Sequence, residues 1–264
     1  MPYAPIHGQS IHYTDTGGSG PALLFSHGLL MDGAMFEAQV EALRDRYRCI
    51  TWDERGHGLT VTTPGPFTHE DSADDAVALL AHLGLSEAVF LGMSQGGFLS
   101  LRAALRHPRA VRALVMLDSQ AGAEDAEQLP VYTAMVQAWA SQGLSPATAA
   151  TLVNLIGGPT FDAAPWVAKW QAIAPATLLQ IFNTLATRQD ITDQLGNIHQ
   201  PTLVVHGDSD ASIPLAKAQV VVCGIADSRL VVVPGGGHAS NMTHAAEVNR
   251  ALNDFLSQTL GDRV

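Results

Sequence analysis

The chain is poor in basic residues: 14 Lys and Arg stand against 25 Asp and Glu, for a formal net charge of −11. No run of Lys or Arg occurs. A surface that grips nucleic-acid phosphates needs a basic stripe, so nucleic acid is excluded as a partner. A negative surface keeps a protein soluble instead. Cysteine is scarce as well. Cys49, in YRCITWD, and Cys223, in VVVCGIA, are the two present, and both stand among apolar neighbours, where a free thiol behaves as a small hydrophobe. There is no CxxC, HExxH or clustered Cys/His spacing, so no metal site is written in the sequence. Long hydrophobic runs are missing too: RALVMLD and RLVVVPG are far too short to span a bilayer. The start, MPYAPIHGQSIHYTDTG, lacks a basic flank ahead of an apolar block and does not read as a secretory signal. These absences lead to the expectation of a soluble cytoplasmic protein, monomer or homodimer, with no membrane partner.

What is present is ample apolar material. Of 264 residues, 47% are hydrophobic and 15% charged, enough for one large core. Short apolar runs alternate with helical patterns through residues 10–120. ALLFSHG (22–28), YRCITWD (47–53), AVFLGM (88–93) and VRALVMLD (111–118) read as buried strands. Between them, Met35–Arg46, Asp71–Leu83 and Gln95–His107 carry helical spacing. Continuous apolar strands alternating with helices predict a parallel sheet covered on both faces.

The pattern changes near Gly122. From Glu124 to Leu195 the signals are helical. Leu129, Tyr132, Met135, Val136 and Trp139 share one stripe, and Trp166, Val167, Trp170 and Ile173 share another. Ser145-Pro146 reads as an N-cap followed by proline in the first helical turn. Strand alternation returns with PTLVVHG (201–207) and SRLVVVPG (228–235), and the last helix runs from Thr243 to Leu260. The expected organisation is an α/β core of residues 1–121 and 197–264, with a helical cap of residues 122–196 inserted after the sixth strand.

One short stretch carries the chemistry. LGMSQGG (91–97) sets Ser94 between glycines where a strand ends and a helix begins. G-x-S-x-G in that context is a nucleophile elbow: small residues let strand and helix approach, and the hydroxyl stands clear at the helix N-terminus. A serine hydroxyl needs a base, and the base needs an orienting partner, in the order Ser, acid, His. His238 follows three glycines after a predicted strand and is the expected base. Asp210 is the favoured acid. Asp208, two residues earlier, and Asp118, at the end of the strand after the elbow helix, stay open. SHGLLMDG (26–33) offers a second backbone donor at Leu29 beside that of Gln95, a pair suited to hold an oxyanion. His27 reads as a loop anchor.

Together SHGLLMDG, WDERGHGLT, LGMSQGG, HGDSDASIP and PGGGHASN resemble the α/β-hydrolase superfamily over nearly the whole chain. The chain is similar to 3-oxoadipate enol-lactonases, simple carboxylesterases and cofactor-free haloperoxidase/perhydrolases. The resemblance implies an α/β-hydrolase fold: a mostly parallel sheet of about eight strands, helices on both faces, and a helical cap. It implies a serine hydrolase acting on a small apolar ester or lactone, with no metal and no organic cofactor. Asp53, Arg55 and His57, in the D-x-R-G-H-G stretch, are structural in such families, and Thr60 departs from their usual serine. Trp139, Trp166 and Trp170 are the expected substrate contacts under the cap. An acidic substrate would need a cation there, for which Lys169 and Arg188 are the candidates. Cleavage of a β-diketone C–C bond, perhydrolysis and slow-turnover ligand reception are the alternatives on the same triad.

Overall fold

The computed structural model describes residues 2–158 and 161–261. Eight strands form one sheet in the order β1-β2-β4-β3-β5-β6-β7-β8. They are β1 (Tyr3–Ile6), β2 (Gln9–Asp15), β3 (Ala22–Ser26), β4 (Arg48–Trp52), β5 (Ala88–Met93), β6 (Val111–Leu117), β7 (Thr202–Gly207) and β8 (Ser228–Val233). From β3 onward every pairing is parallel; β1 and β2 add an antiparallel hairpin at one edge. The hairpin turns at His7-Gly8, and YAPI and QSIHYTD carry no continuous apolar run, so its strands have little signal in the sequence.

The central strands are apolar on both faces because both faces are covered. Along β5, Val89, Leu91 and Met93 enter one core cluster while Ala88 and Phe90 enter the other, as the two-residue period of a strand requires. Helices α1 (Glu37–Leu43) and α10 (Ala245–Leu260), with the four-residue α9 (Ser240–Thr243), cover one face. Helices α2 (His69–His82), α3 (Gln95–Arg106) and α8 (Leu215–Gly224) cover the other. Thr68 starts α2 earlier than its apolar spacing suggests, through a reciprocal capping box with Asp71. The helix expected at Met35 begins as a 3-10 turn at Gly33–Phe36, fixed by the Asp32 side chain, and its α-helical part ends at Leu43. Among the described residues no helix is long and apolar enough to cross a membrane.

Among the described residues, four α-helices lie between β6 and β7, namely α4 (Leu129–Gln142), α5 (Pro146–Ile156), α6 (Ala164–Gln171) and α7 (Pro175–Ala186), followed by a 3-10 helix at Thr192–Asn197. Ser145 caps α5 through the Thr148 amide, with Pro146 in the first turn. The chain leaves β6 and returns beside its own departure point, where the Ile191 amide donates to the Ala121 carbonyl at 3.0 Å. Val136, Trp139, Leu152, Trp170 and Leu178 join the same apolar cluster as the β5 residues above. These helices therefore lie over the carboxyl edge of the sheet, where open α/β sheets place their ligands.

Candidate active site

Ser94 sits in the turn between β5 and α3 at φ 51° and ψ −116°. An L-residue enters that region at a cost of about 1–3 kcal/mol, repaid by surrounding structure. Here the Ser94 amide donates to the Leu117 carbonyl at 2.9 Å, and the Ser119 hydroxyl donates to the Ser94 carbonyl at 2.6 Å. The glycines are required by contact: a Cβ on Gly92 would run into the Gly96 carbonyl, and one on Gly96 into the Ser26 carbonyl.

The structure brings Ser94, His238 and Asp210 into one line. Ser94 Oγ lies 2.9 Å from His238 Nε2, and His238 Nδ1 lies 2.8 Å from Asp210 Oδ2. A carboxylate can only accept, so the proton sits on Nδ1 and Nε2 is left free to take one from the serine. Asp210 is held in turn: its Oδ1 accepts from the amides of Ser212 and Ile213 at 2.8 and 2.9 Å. Burial, the largest effect, pulls the His238 imidazole down. The Asp210 charge and hydrogen bond, with the charges of Asp118 and Glu124, outweigh it and hold the ring above its ordinary value.

The two other acids do different work. Asp208 Oδ1 accepts from the Gly235 amide at 2.7 Å and the Ser209 hydroxyl at 3.0 Å, tying the acid loop to the loop that carries His238. Asp118 is fully buried at φ 47°. Its Oδ1 accepts from the Gly207 amide at 2.8 Å, and its Oδ2 from the Ser240 amide at 3.0 Å and the Ser240 hydroxyl at 2.6 Å. Burial pushes this carboxyl up to about 7, against the pull of Ser240, His238 and Gly207. Neither acid hydrogen-bonds to the imidazole of His238 in the structure.

His27 and Gln95 shape the wall opposite. The Glu54 amide donates to His27 Nε2 at 2.9 Å, which leaves Nδ1 protonated and donating to the Gly28 carbonyl at 2.8 Å. In a trans peptide the N–H points opposite to the C=O, so fixing the Gly28 carbonyl also fixes the direction of the Leu29 amide. The Gln95 amide opens α3 and has no helical carbonyl ahead of it. The Gln95 side chain turns away from Ser94 and donates to buried Glu54.

A cavity of about 140 Å³ lies above Ser94 and His238, with Leu29 and Trp139 in its wall. Trp166 and Trp170 do not line it, which corrects the expectation that all three tryptophans contact substrate. Trp166 lies beneath the Lys169 ammonium, 4.3 Å from its ring centroid. Trp170 is fully buried and donates its indole N–H to the Leu30 carbonyl at 2.9 Å, where Leu30 has φ 65°. Lys169 pairs with Asp32 at 2.6 Å and faces a separate cleft of about 910 Å³. Arg188 does line the smaller cavity, but paired with Glu124 at 2.7 Å.

A family model for the alpha/beta hydrolase fold matches residues 21–245. The chain belongs to this family. Among its relatives is 3-oxoadipate enol-lactonase 2 of Acinetobacter baylyi, 29% identical over 250 residues that cover 90% of this chain and 89% of that protein. Another is the serine hydrolase BPHL of Mus musculus, 26% identical over 258 residues, covering 95% and 84%. Among solved structures, an esterase of Thermogutta terrifontis superposes with a TM-score of 0.86 at 28% identity, covering 98% of this chain and 97% of that one.

In this α/β hydrolase the D-x-R-G-H-G stretch braces the floor. Asp53 accepts from the amides of Gly33 and Leu59 and from His12 Nδ1, at 2.8–2.9 Å. Thr60, in place of the usual serine, keeps the hydroxyl that donates to the Asp53 carbonyl at 2.6 Å. Arg55 pairs with Asp75, and His57 is buried. Asp118, His206 and Asp210 of the hydrolase stand close enough to be tested as a metal site. They do not fit one. Both carboxylates already accept N–H and O–H donors at every oxygen. His206 Nε2 donates to the Ile213 carbonyl at 2.8 Å.

Proposed function

We propose that this α/β hydrolase is a serine esterase or lactonase working through an acyl-enzyme. The observation that carries the reading is the line Ser94 Oγ, His238 Nε2, His238 Nδ1, Asp210 Oδ2, at 2.9 and 2.8 Å, beneath an apolar cavity. Ser94 attacks the acyl carbon as His238 takes its proton, and Asp210 stabilises the imidazolium that forms. The amides of Leu29 and Gln95 receive the developing oxyanion, each worth about 3–4 kcal/mol in the transition state. His238 then protonates the leaving alcohol and activates the water that releases the acid. A lactone follows the same path with the alcohol still tethered. The four inserted helices act as a cap whose underside, with Trp139, sizes the acyl group.

The test is hydrolysis of p-nitrophenyl esters from acetate to octanoate and of a simple γ-lactone, by wild type and Ser94→Ala. Wild type should turn over esters of short to medium chain. The variant should lose roughly 10⁴–10⁶-fold in kcat with an unchanged fold. Activity surviving in Ser94→Ala would remove Ser94 from the chemistry.

A further inference from the structure

The cavity wall holds one feature that acyl transfer does not use. Arg188, just beyond the end of α7, has only 2% of its side chain exposed, and its partner Glu124, just before α4, has 15%. Nη2 of Arg188 lies 2.7 Å from Glu124 Oε1, and the guanidinium stacks 4.9 Å above the Phe98 ring centroid. Both residues line the same cavity as Ser94 and His238. The remainder of that wall is mostly apolar, supplied by residues such as Met93, Leu152 and Phe182, and the Ser212 hydroxyl there is spent on the Leu155 carbonyl at 3.0 Å.

We propose that Glu124 determines specificity: by neutralising Arg188 inside the cavity, it confines the site to uncharged esters and lactones and turns away those carrying a carboxylate. This rests on the serine esterase reading above. A lone buried arginine is a ready receptor for a carboxylate, because its planar fork matches both oxygens and it is weakly hydrated. Its charge is compensated by the pairing with Glu124, while Nε and Nη2 of Arg188 make no hydrogen bond among the described residues. A substrate carboxylate entering the cavity would lose its water and meet a balanced pair, with Asp210 as a further negative charge behind His238. Desolvation of that anion then has no compensating cation. The polar edge of the pair remains open to neutral hydrogen-bonding groups, such as an ether, a ketone or an amide on the substrate.

Removing one member of the pair converts the wall into a receptor for the opposite charge. The assay follows acid release from three methyl esters of similar length: methyl butyrate, monomethyl succinate and the methyl ester of 4-(trimethylammonio)butyrate. Wild type should prefer butyrate to the succinate mono-ester by about 100-fold or more in kcat/KM, as expected for an unpaired buried anion. Glu124→Gln should shrink that ratio at least about 10-fold, and Arg188→Gln should instead raise relative turnover of the ammonium ester by a similar factor. Each variant is checked for folding by thermal unfolding, so that if one fails to fold the other still decides. Equal wild-type turnover of butyrate and succinate esters would overturn the proposal. So would a folded variant of either kind with an unchanged charge preference. Absence of Ser94-dependent turnover of butyrate itself would be a different failure, that of the esterase reading, and the specificity proposal would fall with it.

Discussion

Replacing Asp210 by Asn separates the orienting role of this carboxylate from its structural role. Oδ1 accepts from two backbone amides and Oδ2 faces His238 Nδ1 at 2.8 Å. An Asn side chain keeps the loop by accepting those amides through its carbonyl. Its NH2 then faces the ring and can only donate, so Nδ1 must become the acceptor. The imidazole proton moves to Nε2 and points at Ser94 Oγ, which can no longer hand over its own. Loss of the correct tautomer is worth about 10⁴ in kcat, or about 5–6 kcal/mol in the barrier. The fold should persist, since size and backbone bonds are conserved. Steady-state kinetics on a p-nitrophenyl ester, with a thermal melt alongside, provide the assay. Asp208→Asn should stay within a factor of a few, because its oxygen serves Gly235 and Ser209. If Asp210→Asn kept a tenth or more of wild-type kcat while Asp208→Asn collapsed, the assignment of the acid would be refuted.

Three further expectations concern the same site. His238 must be neutral to act as base, and its environment holds it above its ordinary 6.5. The acid limb of kcat/KM should therefore fall off above that value as pH drops, and Asp210→Asn should move the limb downward; a limb below 6 in wild type would contradict this. Asp118→Asn places an NH2 where the carboxylate takes three donors, and should lower stability by about 1–3 kcal/mol in urea unfolding, with a smaller loss of kcat than Asp210→Asn. Trp170→Phe keeps the ring but removes the indole N–H from the Leu30 carbonyl. Destabilisation of about 1 kcal/mol is expected, with a few-fold fall in kcat and little change in KM, since the bond steadies the chain beside Leu29 rather than the cavity.

The strand and helix order, the Ser94 turn and the place of His238 were legible because each is encoded locally. A buried strand, a pair of glycines and a following helix are contiguous in the chain, and their spacing carries the geometry. The acid is less legible: the sequence favours Asp210 and leaves Asp208 and Asp118 open, and it is the fold that sets Asp210 Oδ2 2.8 Å from His238 Nδ1. What escaped reading depends on register between distant segments. Asp118 serves the end of β7, through Gly207, and the start of α9, through Ser240, at once, and that requires knowing that β6 and β7 are neighbours whose carboxyl ends are level. The tryptophans show the limit most directly. Their helical stripe was plain, but whether α6 reaches the cavity follows from how the inserted helices dock, and that angle has no local signature; no residue of α6 lines it. The Arg188–Glu124 pair is likewise invisible in sequence, because its partners lie at opposite ends of the insertion.

The Ala121–Ile191 bond has a consequence for how this hydrolase can change. Entry to and exit from the four helices lie side by side, joined by that bond, beyond the end of β6 and ahead of β7. The groups assigned to the proposed acyl transfer come from the loops after β3, β5, β7 and β8, and none lies between residues 122 and 190. The helices can therefore be lengthened, shortened or exchanged while both ends of the stem stay where they are. On the proposed reading, the reacting groups and most of the cavity wall occupy separate tracts of one chain. A fold wired this way acquires new substrates by altering its roof.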